Sequence, residues 1–406
     1  MLSRVLLGSW LAVVCVGAGD ANPGPANDFP VATDAKIEQA GEIIRLTVAL
    51  SRPVSVSTSV MASPDRVIVD LPSVNFQMQP ATGRNGAGFV SAFRFGLFTA
   101  ERSRIIIDLA QPALVARAEM RNRRGGFGEL VIELKRSSRV EFQAAANEAS
   151  KNRPEAAMSP VEIVKPAGDT RQVVVIDPGH GGIDPGTVVA SIAEKTVVLA
   201  FGMTLKESLE ASGRYRILMT RDEDRFVPLG ERVKIAREAG ADLFISIHAD
   251  SLTQAQDVRG ATVYTGSERA TDAEAARLAA KENQADTVAG LDSSEDTQDV
   301  AGILMDLAKR ETRTFSSVFA RNLVATLGGS VKMHKVPLRS AGFRVLSAPD
   351  VPSVLIELGY MSSPKDAELL NSAAWRTQAV AAVHAAIEGY FAQARPPAGK
   401  AAENRR

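Results

Sequence analysis

Apolar and polar residues alternate with a period of two from about Phe29 to Val140. The clearest runs are Ile43-Ile44-Arg45-Leu46-Thr47-Val48, Arg66-Val67-Ile68-Val69-Asp70-Leu71, Ser103-Arg104-Ile105-Ile106-Ile107-Asp108-Leu109 and Gly128-Glu129-Leu130-Val131-Ile132-Glu133-Leu134, with turn residues between them. Alternation of this kind places one face of each strand in a core and predicts a small all-β sandwich over residues 29–140. Arg136–Thr170 is rich in Ala, Ser, Pro, Asn and charge and has no apolar period. It predicts a linker, set at 141–170.

From Arg171 the texture changes. Short, almost continuous apolar runs bounded by Gly and Pro alternate with stretches of helical period, which predicts an α/β domain over residues 171–394, mainly a parallel sheet flanked by helices. Val173–Ile176, Tyr215–Thr220, Leu243–Ile247, Gly260–Thr265, Phe343–Leu346 and Ser353–Leu358 read as strands. Glu194–Ser212 reads as a helix with Val197, Val198, Phe201, Leu205 and Leu209 on one face and Gly213 as its C-terminal cap. Pro228–Ala239 and Ala373–Ala392 are further helices, and Thr271–Leu327 is helical with a polar break at Gly290–Asp299. Residues 395–406 are rich in Pro and charge and predict a disordered tail.

Four polar residues stand where this pattern ends strands or opens a helix. His180 closes Val173-Val174-Val175-Ile176-Asp177-Pro178-Gly179-His180, His248 closes Leu243–His248, Glu357 closes Val354–Glu357, and Glu194 opens the helix after the first strand. Functional groups of open α/β sheets gather at the carboxyl ends of strands. Two imidazoles and a carboxylate there form the ligand set of a catalytic zinc site with one open position, and a second carboxylate supplies the base. Glu357, flanked by Leu355, Ile356 and Leu358, is the expected base, in surroundings dry enough to raise its proton affinity.

Each residue also has a plain reading. A strand-end histidine is commonly hydrogen-bonded at the surface and a glutamate is commonly solvated. Asp177-Pro178-Gly179-His180-Gly181-Gly182 alone reads equally as a tight turn or a phosphate-cradling loop, although no P-loop Lys-Ser/Thr follows and HExxH is absent. Asp177 and Asp250 adjoin the proposed ligands, which suits orienting an imidazole or capping a turn. His334 and Arg339 fall in what reads as a loop: the expectation is a solvated histidine, with Arg339 a candidate substrate contact. His384 lies among Ala and Val of the last helix and reads as a packed or surface imidazole.

Composition narrows the choice. A chain of 406 residues suits two domains. Its 47 basic and 47 acidic residues balance, which speaks against a nucleic-acid partner. Arg4, the apolar stretch Val5–Val16 and small residues through Ala21 read as a cleaved Sec-type signal over 1–21, with a retained anchor as the alternative. The single cysteine, Cys15, falls inside it. Any metal site of the mature chain must therefore use His, Asp and Glu, and no transmembrane segment is expected beyond the signal.

At these residues the chain resembles the zinc-dependent N-acetylmuramoyl-L-alanine amidases of the Amidase_3 type. The likeness runs from about Val173 to Phe391 and rests on the Asp-Pro-Gly-His-Gly-Gly strand end, Glu194, Ser246-Ile247-His248-Ala249-Asp250 and Ile356-Glu357-Leu358-Gly359-Tyr360-Met361-Ser362. It implies one zinc ion on His180, Glu194 and His248, with Glu357 catalytic. It also implies cleavage between the lactyl group of N-acetylmuramic acid and L-alanine in peptidoglycan, in the periplasm, for daughter-cell separation and wall turnover. The β-rich region, through Phe93-Arg94-Phe95-Gly96 and Arg104–Leu109, resembles the AMIN module that targets such enzymes to the wall. Residues of about 268–312 resemble the helical insert of division amidases, which occludes the zinc until a LytM-type activator displaces it. An extra packed helix is the plain alternative. A carboxylate of the insert is then expected at the open zinc position, Glu295 first and Glu282 second. Two other functions stay open on the residues: a zinc peptidase acting on stem peptides, and a non-catalytic wall-binding regulator.

Overall fold

The computed structural model describes residues 29–79, 82–99, 101–151, 169–251, 258–291 and 303–394, without the side chains of 303–308 and 394. The expected signal, most of the expected linker, the tail and Glu295 lie outside the described residues.

The alternating strands fold into two facing sheets. Strands β1 (Val31–Ala40), β2 (Ile43–Leu50), β3 (Ser57–Met61), β4 (Arg66–Pro72), β5 (Asn75–Phe76), β6 (Val90–Thr99), β7 (Arg102–Leu109), β8 (Ala113–Asn122) and β9 (Gly128–Arg136) form one sheet of order β5-β1-β2-β9-β8 and another of order β3-β4-β7-β6. Ile44, Leu46, Val48, Val67, Val69, Ile105, Ile107, Leu130, Ile132 and Leu134 meet between them, as the period-two pattern requires. The linker expectation needs correction: helix α1 (Arg139–Lys151) occupies its start and inserts Phe142 and Ala146 into this core. Its signal was local. The Ser138 hydroxyl accepts from the Glu141 N–H at 3.2 Å, while the Glu141 carboxylate accepts from the Ser138 N–H at 2.9 Å, a reciprocal capping box.

The second domain is a six-stranded sheet of order β13-β10-β14-β17-β15-β16, built from β10 (Gln172–Pro178), β13 (Tyr215–Met219), β14 (Leu243–His248), β15 (Ala261–Gly266), β16 (Met333–Ala341) and β17 (Ser353–Glu357). Between β10 and helix α2 lies the small hairpin of β11 (Val188–Val189) and β12 (Ile192–Ala193). Strands β13, β10, β14 and β17 run parallel, and β15 pairs antiparallel with β17. Helices α2 (Glu194–Ala211), α6 (Ile303–Gly328) and α8 (Ala373–Ala394) cover one face. Helices α3 (Leu229–Glu238) and α4 (Ala273–Glu282) cover the other. The short helices α5 (Ala285–Val288) and α7 (Pro364–Leu370) complete the helix set of the described residues.

Two readings at the β16 edge are corrected. The segment placed in a loop is strand β16, and it buries His334 to 4% exposure. The segment read as strand Phe343–Leu346 is a 3-10 turn over Arg344–Leu346. An edge strand tolerates Pro337 and polar residues, and this hid the true strand from the apolar pattern.

The two domains pack against one another through the insert. Guanidinium groups of Arg66, Arg94 and Arg104, on β4, β6 and β7, donate to the carbonyls of Thr287, Val288 and Ala289 at the end of α5, Arg94 Nη2 at 2.9 Å and Arg104 Nη1 at 3.0 Å. Phe98 and Ile106 of the β-domain meet Ile183, Phe226 and Ala289 in a small apolar cluster beneath them.

Candidate metal centre and active site

The parallel strands bring four side chains to one point. β10 ends in Asp177-Pro178 and the chain turns sharply, so that His180 adopts a φ of 57°. A side chain at Gly179 would put its Cβ 2.4 Å from the His248 ring, and one at Gly186 would lie 2.7 Å from both Glu194 Oε2 and His180 Cδ2. Glycine at both places lets two imidazoles and a carboxylate converge. Two buried guanidiniums fix the turn: Arg221 donates to the carbonyls of Pro178 at 2.9 Å and Gly179 at 2.8 Å, and Arg232 to that of His180 at 2.7 Å.

His180 Nδ1 lies 2.8 Å from Asp184 Oδ2, which turns Nε2 inward. Glu194 Oε1 then sits 3.1 Å from His180 Nε2 and 3.4 Å from His248 Nδ1. Glu282 Oε2, from the end of α4, sits 3.5 Å and 3.1 Å from the same two nitrogens. All four residues are nearly or fully buried. Yet neither His180 Nε2 nor His248 Nδ1 has a hydrogen-bond partner. Bonds of about 2.0–2.1 Å to a tetrahedral ion place ligand atoms roughly 3.3–3.4 Å apart. These nitrogen–oxygen separations match that spacing, so the group can hold a metal ion, with His180, His248 and Glu282 mutually within 4.8 Å.

The electrostatics follow from that crowding. Burial works against charging His180, but the carboxylates of Glu194, Asp184 and Glu282 outweigh it and hold its pKa well above the ordinary value. For His248 burial is likewise overcome, by Glu282 and Glu194, and the pKa is pushed up to about 10. Glu194 is held well below the carboxylate range: burial opposes this, and the two imidazoles prevail. Without a cation, two protons balance the two carboxylates; a divalent ion can take their place.

Glu357 stands directly across from His248 in register. Its Oε2 accepts the Asp250 N–H at 3.0 Å, whereas Oε1 is buried with no hydrogen-bond partner. Burial pushes its pKa well above the usual carboxylate value, against the pull of His248 and with repulsion from Asp250, Glu194 and Glu282.

His180, Glu194, His248, Glu357 and Glu282 thus come together. Glu282, the second candidate for an inhibitory ligand, is the one the described residues place there. Asp177 and Asp250 touch no imidazole, contrary to the orienting expectation. Asp177 accepts from Thr220, Ser246 and Arg232 at 2.6–2.7 Å, and Asp250 binds the Thr187 hydroxyl at 2.7 Å and the Lys281 ammonium beside Glu282. The imidazole-orienting carboxylate is Asp184, which sequence reasoning missed; its signal was an acid four residues after His180 inside a glycine loop. Arg339 is buried rather than open to substrate and pairs with Glu274 of α4 at 2.7 Å. His384 bonds Ser208 at 2.8 Å on the far side of the sheet.

Comparison with known proteins places this geometry. A family model described as Amidase_3, N-acetylmuramoyl-L-alanine amidase, matches residues 174–389, and one described as AMIN domain matches residues 34–123. The chain is 32% identical to N-acetylmuramoyl-L-alanine amidase AmiC of Escherichia coli O6:H1 over 374 residues, 88% of each chain. It is 32% identical to AmiC of Neisseria meningitidis serogroup B, over 89% of this chain and 90% of that one. AmiA of Escherichia coli K12 is 38% identical over 223 residues, 54% of this chain and 76% of its own length.

Proposed function

The chain belongs to the Amidase_3 family of N-acetylmuramoyl-L-alanine amidases, and on that premise we propose that it hydrolyses the amide between the lactyl group of N-acetylmuramic acid and L-alanine in peptidoglycan. The observation that carries this reading is the pair of buried, partnerless nitrogens on His180 and His248 beside the buried, partnerless Oε1 of Glu357. His180, Glu194 and His248 would hold a zinc ion. Zinc bound there supplies a Lewis acid and a water whose proton leaves near neutral pH. Asp184 keeps the proton of His180 on Nδ1 and so leaves Nε2 free to ligate. Glu357 Oε1 would accept a proton from the attacking water as its oxygen adds to the lactyl carbonyl. It returns that proton to the alanine nitrogen as the C–N bond breaks. The Asp250 N–H holds Oε2 and points Oε1 at the reacting atoms.

In the resting chain Glu282 Oε2 stands beside the same two imidazole nitrogens, where it would compete with water for a bound ion, and α4 would thereby close the site. A LytM-type activator opens it by drawing α4 away. The enzyme works in the periplasm after Sec-type export, its β-domain recruiting it to the wall for daughter-cell separation. Digestion of purified sacculi with the zinc-loaded Glu282→Gln protein, which lacks the inhibitory carboxylate, with and without chelator, tests the reaction by mass spectrometry of the products. Amidase action releases free L-alanine amino termini and leaves lactyl carboxylates intact. Cuts confined to the stem peptide would instead make it a peptidase, and unaltered sacculi with a displaced insert would make it a binding protein.

A further inference from the structure

Helix α4 carries acidic groups to two separate places. Glu282, its last residue, reaches the metal centre. Glu274, in its first turn, accepts from Arg339 Nη1 at 2.7 Å, and the N-cap residue Asp272 lies 3.6 Å from Arg339 Nε. Arg339 is 4% exposed, and among the described residues its ion-pair partners are these two carboxylates alone. It stands on β16 in register with Tyr264 of β15, and its Nη2 lies 3.4 Å from His334 Nδ1. His334 Nε2 and the Tyr264 hydroxyl are buried beside it without hydrogen-bond partners.

Once α4 withdraws, Arg339 loses both counter-ions and opens to the vacated groove, a state less favourable than the paired one. Whatever enters the vacated groove relieves it by bringing an anion to the same point. The helix also sets the distance of that anion from the reaction. Glu274 and Glu282 are eight residues apart, a rise of about 12 Å in an α-helix. An extended peptide advances roughly 3.3–3.6 Å per residue, so about 12 Å corresponds to between three and four residues.

We propose that Arg339 is a subsite for a carboxylate on the third residue of the stem peptide, and that α4 closes the groove by presenting Glu274 and Glu282 where that carboxylate and the scissile group sit. His334 and Tyr264 supply further donors to the same anion. The inference rests on the reading that α4 is displaced before catalysis.

The test uses full-length protein carrying Glu274→Gln and Glu282→Gln, kept free of zinc, and titration calorimetry. The probes are the tripeptide L-alanine–γ-D-glutamate–diaminopimelate and the same tripeptide with the carboxylates of its third residue as amides. A charge-assisted fork to a carboxylate makes the acid bind about tenfold or more tightly than the amide. Adding Arg339→Gln abolishes that preference, and Arg339→Lys retains part of it. Equal affinities with Arg339 present, a preference that survives Arg339→Gln, or no measurable binding of either probe overturns the subsite. A purely structural role for Arg339 would lower the melting temperature and leave the acid-to-amide ratio unmoved. The displacement reading is judged separately, by hydrolysis of sacculi with the zinc-loaded Glu282→Gln protein and no partner. No gain in rate there sinks displacement and the subsite with it, whereas a gain in rate together with equal tripeptide affinities sinks the subsite alone.

Discussion

The two domains bury charge to opposite ends. On the outer face of the sheet β3-β4-β7-β6, every guanidinium of the Arg66, Arg94 and Arg104 group is matched: Arg66 and Arg94 share Asp108, Arg104 takes Asp70, and all three also donate to the end of α5. In the catalytic domain His180 Nε2, His248 Nδ1 and Glu357 Oε1 are buried without a well-formed hydrogen bond, and the two nitrogens are only crowded by carboxylate oxygens at 3.1–3.5 Å. A matched cluster has no use for a ligand and fits a docking face. An unmatched one, kept from water, costs free energy that only a bound ion or substrate recovers. Burial therefore marks structure in one region and chemistry in the other, and what separates them is whether the polar atoms are satisfied.

Removing an unmatched nitrogen is the strongest way to break that contrast. His180→Ala or His248→Ala leaves a single imidazole with the Glu194 and Glu282 carboxylates, a far weaker site for zinc. Metal content by mass spectrometry should fall to background and activity with it. Full zinc occupancy in either variant would mean the nitrogens serve packing. Next in size is Glu357→Gln, which keeps the volume and removes the proton acceptor. Zinc should stay bound while turnover drops by about 10²–10⁴-fold. Near-normal turnover would place the base elsewhere.

A third variant sharpens the contrast from within the catalytic loop. Asp184→Asn keeps the shape of the His180 contact but weakens its hold on the Nδ1 proton. Metal affinity should fall by roughly 10–100-fold, the usual cost of losing a carboxylate behind a ligating histidine. Competition with a chromophoric chelator reads it. Unchanged affinity would show that the turn held by Arg221 and Arg232 positions the imidazole unaided.

The same contrast explains what the sequence could reveal. His180, His248 and Glu357 were legible because each ends an apolar run, and a strand direction is enough to gather them. Glu194 was legible as the first residue of an amphipathic helix. Asp184, Arg221 and Arg232 were not, since their bonds run to backbone carbonyls and a ring nitrogen that the sharp turn at His180 exposes; no spacing rule encodes that turn. Strand β16 was missed because an edge strand needs no apolar period, and α1 because its two core residues, Phe142 and Ala146, stand in a polar segment. The docking of the β-domain on α5 depends on Asp70 and Asp108 meeting arginines from neighbouring strands, a property of sheet register. In the sequence those residues look only like the solvated face of a strand.

The smallest expected effect comes from the matched side. Arg104 bonds Asp70 at 2.6 Å and the Ala289 carbonyl at 3.0 Å, with its guanidinium 3.7 Å from the centre of the Phe98 ring. Arg104→Ala removes these contacts together with a second bond to Asp70 at 3.2 Å. The Asp70 side chain is 26% exposed, so water can replace its lost partner. The Ala289 carbonyl lies in the buried junction and loses more. A net cost of about 1–3 kcal/mol follows, the range for stranding a buried acceptor. Scanning calorimetry should show it as a lower unfolding temperature, with zinc affinity unchanged, because Asp70, Ala289 and Phe98 all lie outside the metal centre. If zinc affinity shifts along with stability, the two regions are coupled through α5, and the division between a docking face and a chemical site gives way to one continuous network.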